Sequence, residues 1–242
     1  MLILALDTST RVGSIAFLRD RQVLDEVSSR DEAPYSTRVF RDLALLRSRA
    51  QIRMDQIDVF AVGTGPGSFT GLRVGLTAVK AWAEVHGKPI AAVSGLEAIA
   101  AQATTNGDQP QAGSELLAPY LDARRGQVFG STYRRVTGSS TAVELLGAEA
   151  ILTAEEFLFL VKENLGAAHA LLVSPTPDVL PRALVDSILP GARIKEVSGI
   201  LAPVIGRLAF DRANCGELVD PLGLDANYIR RTDAEVFWKG GG

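Results

Sequence analysis

The 242-residue sequence is short of the side chains on which most enzymes depend. A single cysteine, Cys215, rules out an internal disulfide and fits a reducing compartment. The two histidines, His86 and His169, form no H-x-x-x-H or H-E-x-x-H pair, so no metal site is expected. Formal net charge is only −3, which excludes the global basic character of a nucleic-acid or anionic-membrane binder. No apolar run reaches the ~18 residues of a membrane span. The N-terminal "MLILALDTST" lacks the basic start of a signal peptide. A cytoplasmic protein with no membrane partner is expected. What is abundant is ordinary: 47% hydrophobic and 22% charged residues, enough length for one large or two small domains.

Hydrophobic patterning sets out the order of elements. Leu2 to Leu6, "SIAFLRD" and "QVLDEVSS" read as a three-stranded antiparallel meander. The period then becomes helical, with Ser36 or Thr37 as N-cap and Phe40, Leu43, Leu46 and Ala50 recurring along the helix. "IDVFAV" reads as a buried strand, and the glycine-rich "VGTGPGSFTGLRVG" follows it at residues 62–75. A helix from about Phe69 to His86 is stopped by Gly87 and Pro89; strand "PIAAVSG" and helix "LEAIAAQA" follow. The order βββαβαβα predicts an α/β sheet with an antiparallel edge.

The polar segment 104–115 marks a domain boundary. Beyond it "LLAPYLDARRGQVFGSTYRRV" repeats strand, Asp, turn and strand, with Asp122 in the place of Asp7. A third strand around "TAVELLG", helix "AEEFLFLVKENLG", strand "ALLVS", a helix around "PRALVDSIL" and strand "RIKEVS" continue the series. The expectation is a duplicated α/β protein: residues 1–104 form one lobe and 105–242 another, with the last helix, about 199–214, a candidate to pack back on the first lobe.

The glycine-rich loop satisfies neither G-x-x-x-x-G-K-[ST] nor G-x-G-x-x-G, though its place before a helix suits a weak anion site. Asp7, Thr8, Ser9, Gly65, Gly67 and Asp122 are therefore candidates to lie near a phosphate or nucleotide. The alternative is that each Asp simply ends its strand and binds its own turn amides. On the helix after the loop, Gly71, Gly75, Ala78 and Trp82 form a smooth stripe beside an apolar one, as expected of a helix with two packing partners. An interior Gly75 costs roughly 1 kcal/mol against Ala, which close approach of another backbone would offset; burial within its own domain is the alternative. Neither Ser68 nor Cys215 has the setting of a nucleophile. Arg124 and Arg125 in the second hairpin are candidates for contact with RNA phosphates or a partner's acids, or are simply exposed turn residues.

"LILALDTST", "VGTGPGSFTGLRVGLTAVKAWA", "AVSGLEAIA" and "LDARRGQVF" together resemble the TsaB (YeaZ) family, subunits of the bacterial threonylcarbamoyladenosine tRNA modification system. The resemblance implies duplicated RNase H-like lobes of the actin/Hsp70-like (ASKHA) fold with mixed sheets. It further implies a noncatalytic partner of TsaD that supports threonylcarbamoyl transfer to the tRNA adenosine beside the anticodon. TsaE joins through the assembled complex, tRNA is met indirectly, and the isolated chain forms homodimers. No cofactor is implied for this chain alone, with ATP or ADP at the interface with partners. The implied helical interface takes in Phe40, Leu43, Leu46, Gly71, Val74, Gly75, Ala78 and Trp82. Where many relatives carry His-Ser-Glu before the first helix, this sequence has Pro34-Tyr35-Ser36-Thr37. The segment "NYIRR", around Tyr228 and Arg230, resembles the family's ending. The competing readings are an ATP-dependent ASKHA phosphotransferase using Asp7 and Asp122, and a peptidase.

Overall fold

A computed structural model describes residues 1–29, 33–105, 115–136, 143–166, 168–227 and 229. Most of the boundary segment 104–115, and the tail positions Tyr228 and Arg230, lie outside the described residues. The first half runs β1 (Leu2–Asp7), β2 (Gly13–Arg19), β3 (Gln22–Ser29), α1 (Tyr35–Ala50), β4 (Val59–Gly63), α2 (Phe69–His86), β5 (Ile90–Val93) and α3 (Gly95–Thr105). Its sheet has the order β3-β2-β1-β4-β5. β1 pairs antiparallel with β2, Asp7 opposite Ser14, and parallel with β4, Leu6 opposite Val62. The run Leu2 to Leu6 is buried on both faces, which explains its unbroken apolar character.

The second half comprises β6 (Glu115–Arg124), β7 (Gln127–Gly130), β8 (Tyr133–Arg135), β9 (Val143–Leu145), β10 (Ala150–Thr153), α4 (Ala154–Leu165), β11 (His169–Ser174), α5 (Arg182–Ile188), β12 (Arg193–Glu196) and α6 (Ala202–Cys215). Its main path, β10-β7-β6-β11-β12, repeats the first sheet. The third strand of the repeat is therefore β10. "TAVELLG" does contribute β9, but β9 pairs with β8 rather than with β7, in a side branch. Helix α1 also starts earlier than Ser36 or Thr37: Pro34 occupies the N-cap at φ −54°, and its carbonyl accepts from the amides of Thr37 and Arg38. The proline ring presets the φ that helix entry requires.

Helices α1 and α2 cover one face of the first sheet, and α4 and α5 cover the outer face of the second. Between the sheets the last helices are exchanged. α3, which ends the first half, packs on β6, β8, β9 and β11; α6, which ends the second, packs on β1, β2, β4 and β5. At Gly206 a Cβ would collide with the Leu18 side chain, so the glycine sets how closely α6 approaches β2. The two helices meet through Arg212 and Glu97, 2.7 Å apart. The arrangement is the actin/Hsp70-like duplicated fold.

Candidate functional site

Asp7 closes β1 at the first hairpin turn and is fully buried. Its Oδ1 accepts from the Ser9 amide (3.1 Å) and hydroxyl (2.7 Å). Its Oδ2 has no hydrogen-bond partner among the described residues. Burial pushes the Asp7 carboxyl up to about 6, against the lowering effect of the Ser9 hydrogen bonds. The turn it supports is held under α2. Thr8 donates its hydroxyl to the Gly71 carbonyl at 2.7 Å, and the Ser68 amide donates to the Ser9 carbonyl at 2.8 Å. A Cβ at Gly67 would strike the Ser9 backbone, one at Gly71 the Thr8 carbonyl and one at Gly75 the Thr8 hydroxyl. The glycines of the loop and helix thus make room for the chain's own hairpin, a use of close backbone approach that the stripe alone did not identify. Ser68 is the α2 N-cap, accepting from the Gly71 amide.

Between the hairpins lies a cleft of about 1120 Å³. Of the phosphate-proximal candidates, Ser9, Gly67 and Asp122 line it; Asp7, Thr8 and Gly65 stand behind its wall. The two Asp residues are therefore not equivalent. Asp122 is at the surface, accepting from the Arg124 amide at 2.7 Å and facing the Arg124 guanidinium at 3.5 Å. The two carboxylates therefore do not face one another as the phosphotransferase reading requires: Asp7 is sealed off and Asp122 is engaged in its own turn. Arg124 and Arg125 also line the cleft, at φ 68° and 56°, with Gly126 at 74°. Among the described residues no three His, Cys, Asp or Glu side chains gather to hold a metal ion, and no helix is long and apolar enough to cross a membrane.

The proposed helical interface separates into two sets. Leu43, Leu46 and Ala78 are buried in the core between α1, α2 and the sheet, and Gly71 and Gly75 are buried against Thr8. In this conformation these five face inward, toward the sheet and the first hairpin, and not toward solvent. Phe40 is 59% exposed, whereas Val74 and Trp82 are half-buried. Phe40 stands edge-on to Trp82, ring centroids 6.5 Å apart, and Trp82 rests on Phe60 at 6.2 Å. An apolar ledge is thereby held open at the junction of α1 and α2.

Sequence reasoning missed Glu149. Its carboxylate accepts from Tyr133 at 2.5 Å, from the Ser94 hydroxyl at the start of α3 and from the Asn227 side chain. Burial and the adjacent carboxylate raise the Tyr133 hydroxyl far above its usual range, so it remains a donor. No spacing motif joins positions 94, 133, 149 and 227; only the fold does.

A sequence-family model for TsaD, the tRNA N6-adenosine threonylcarbamoyltransferase, matches residues 35–178. The tRNA threonylcarbamoyladenosine biosynthesis protein TsaB of Bacillus subtilis is 29% identical over 98% of both chains. The chain belongs to the TsaD-like family, on its TsaB (YeaZ) branch. The TsaB of Haemophilus influenzae is 32% identical over 53% of this chain and 52% of its own. In fold, YeaZ from Pseudomonas aeruginosa superposes with a TM-score of 0.75 at 24% identity, covering 94% of this chain and 99% of that one. Membership of that family links the chain to tRNA threonylcarbamoyladenosine biosynthesis, for which its TsaB relatives are named.

Proposed function

We propose that this chain is a noncatalytic subunit that docks TsaD through the α1–α2 ledge and thereby supports threonylcarbamoyl transfer to tRNA. The observation that carries the reading is Phe40, a large apolar side chain left in solvent yet braced by Trp82, which in turn rests on Phe60. Aromatic anchors of this kind concentrate binding energy at interfaces. The sealed Asp7, the capping role of Ser68 and the isolated positions of His86 and His169 support assigning the chemistry to the partner. TsaE enters through the assembled complex, tRNA is presented by it, and any ATP or ADP sits at the interface with partners. The isolated chain pairs with itself through the same ledge, and the exposed, free Cys215 fits a cytoplasmic setting.

The test is capture of TsaD by Phe40→Glu. Because Phe40 is already largely in water, stability changes by less than about 1 kcal/mol, whereas capture falls ten-fold or more. Undiminished capture removes the ledge from the interface. ATP turnover by the purified chain alone, lost on Asp7→Ala, would establish the phosphotransferase reading instead.

A further inference from the structure

The first hairpin turn carries Arg11 and the second Arg124 and Arg125, and all three line the same cleft. Arg125 and Gly126 form the two-residue turn between β6 and β7, both with positive φ, and Arg124 sits at positive φ where the strand register slips. Such positions favour Gly, Asn or Asp. A left-handed backbone costs an ordinary residue roughly 1–2 kcal/mol, so arginine stands at two consecutive positions against local preference. Arg124 is tied to Asp122. Arg11 and Arg125 are both exposed, and neither has an ion-pair partner among the described residues. The opposing charges on the lining are Asp122 and Glu196.

Two aromatic rings complete the wall. Tyr35 and Phe69 are half-buried and line the cleft on the side of the first lobe. Each is already stacked by an arginine, Arg38 over Tyr35 at 4.4 Å and Arg73 over Phe69 at 3.9 Å. A basic rim beside aromatic rings is the chemistry that holds single-stranded nucleic acid, phosphates on the cations and bases on the rings. We propose that this cleft takes a single-stranded segment of RNA, with Arg11 and Arg125 on its phosphates and Phe69 against a base. The inference goes beyond the proposed function, in which RNA reaches this chain only indirectly, and rests on that reading for the RNA. The net negative charge of the chain makes the contact weak and salt-sensitive.

The full chain is titrated against a short fluorescently labelled single-stranded RNA by anisotropy at several salt concentrations. Arg11→Ala combined with Arg125→Asn, which suits the left-handed backbone, is expected to weaken binding about ten-fold. The salt dependence should flatten by about 1.4 in log–log slope, two phosphate contacts on a single strand. Phe69→Ala weakens binding without changing that slope, and excess ATP does not displace the RNA. Unchanged affinity in the arginine variant overturns the proposal, as does displacement of the RNA by ATP. Loss of TsaD capture with RNA affinity intact also overturns it, assigning the arginines to a protein partner. Intact TsaD capture alongside unaltered RNA binding would defeat this inference while leaving the docking reading standing.

Discussion

At the residue scale, Asp7 couples stability to pH. Unfolded, its carboxyl titrates near 3.8; folded, near 6. Well below pH 3.8 both states hold the proton and burial carries no charge penalty. As pH rises from 4 to 6 the unfolded state ionises first, so stability declines, and above the folded value a penalty of about 3 kcal/mol persists. Asp7→Asn removes the titration while keeping an oxygen for Ser9. Its urea midpoint should therefore fall less between pH 4 and 6.5 than that of the wild type. Parallel profiles would show that Asp7 does not titrate in this window. A comparison of slopes is needed, because any constant cost of the new amide shifts the whole curve. Gly75 supplies a second case. Ala is the better helix former by about 1 kcal/mol, yet Gly75→Ala must push its methyl into the Thr8 hydroxyl, and a net destabilisation of about 1–3 kcal/mol is expected from overpacking. Thr8→Ala in the same chain should recover much of the loss, measured as a coupling energy in a double-mutant cycle. An increase in stability on Gly75→Ala would mean that the stripe faces outward after all.

At the scale of elements, legibility tracks the length of the periodic run. The six-residue β1 and the 18-residue α2, stopped by Gly87 and Pro89, are readable because pattern and punctuation agree. β8, β9 and β10, of three or four residues each, are too short for a period to emerge. The site was legible only in part. Gly71 and Gly75 announce that something comes close but not what, and the answer, Thr8, lies more than sixty positions away. Glu149 carried no signal because its meaning comes from three donors on separate elements. It fastens the Asn227 segment, whose amide also donates to the Thr64 carbonyl at 2.9 Å, to both lobes. Glu149→Gln replaces one acceptor oxygen with a donor that faces the Asn227 amide, so a loss of about 1–3 kcal/mol is expected. Adding Asn227→Asp restores a donor–acceptor match and should return part of that stability. If the double variant is no better than the single one, the Asn227 contact does not hold the segment.

At the scale of the whole molecule, the boundary in the sequence is not the boundary in the packing. The apolar face formed by Ile3, Ala5, Ala16, Leu18 and Ala61 is covered by Ala202, Ile205, Leu208 and Ala209 of α6, while Leu117, Leu171 and Val173 of the second sheet share the same core with Leu96, Ile99 and Ala103 of α3. Separating the chain at residue 105 would strip each sheet of the helix that covers its inner face. At ~25 cal/mol per Å² of apolar surface, exposing a face of this kind costs on the order of the 5–15 kcal/mol by which domains are ordinarily stable. Residues 1–105 alone should therefore lack fixed tertiary structure, with a collapsed near-ultraviolet circular dichroism signal and no cooperative urea transition. The intact chain should unfold in one transition followed alike by tryptophan fluorescence and by backbone signal. Mixing the two halves should restore part of the tertiary signal, because each brings the other's missing helix. A cooperative transition from residues 1–105 in isolation would show that the first lobe is self-sufficient and that the exchange of α3 and α6 is packing without consequence for folding.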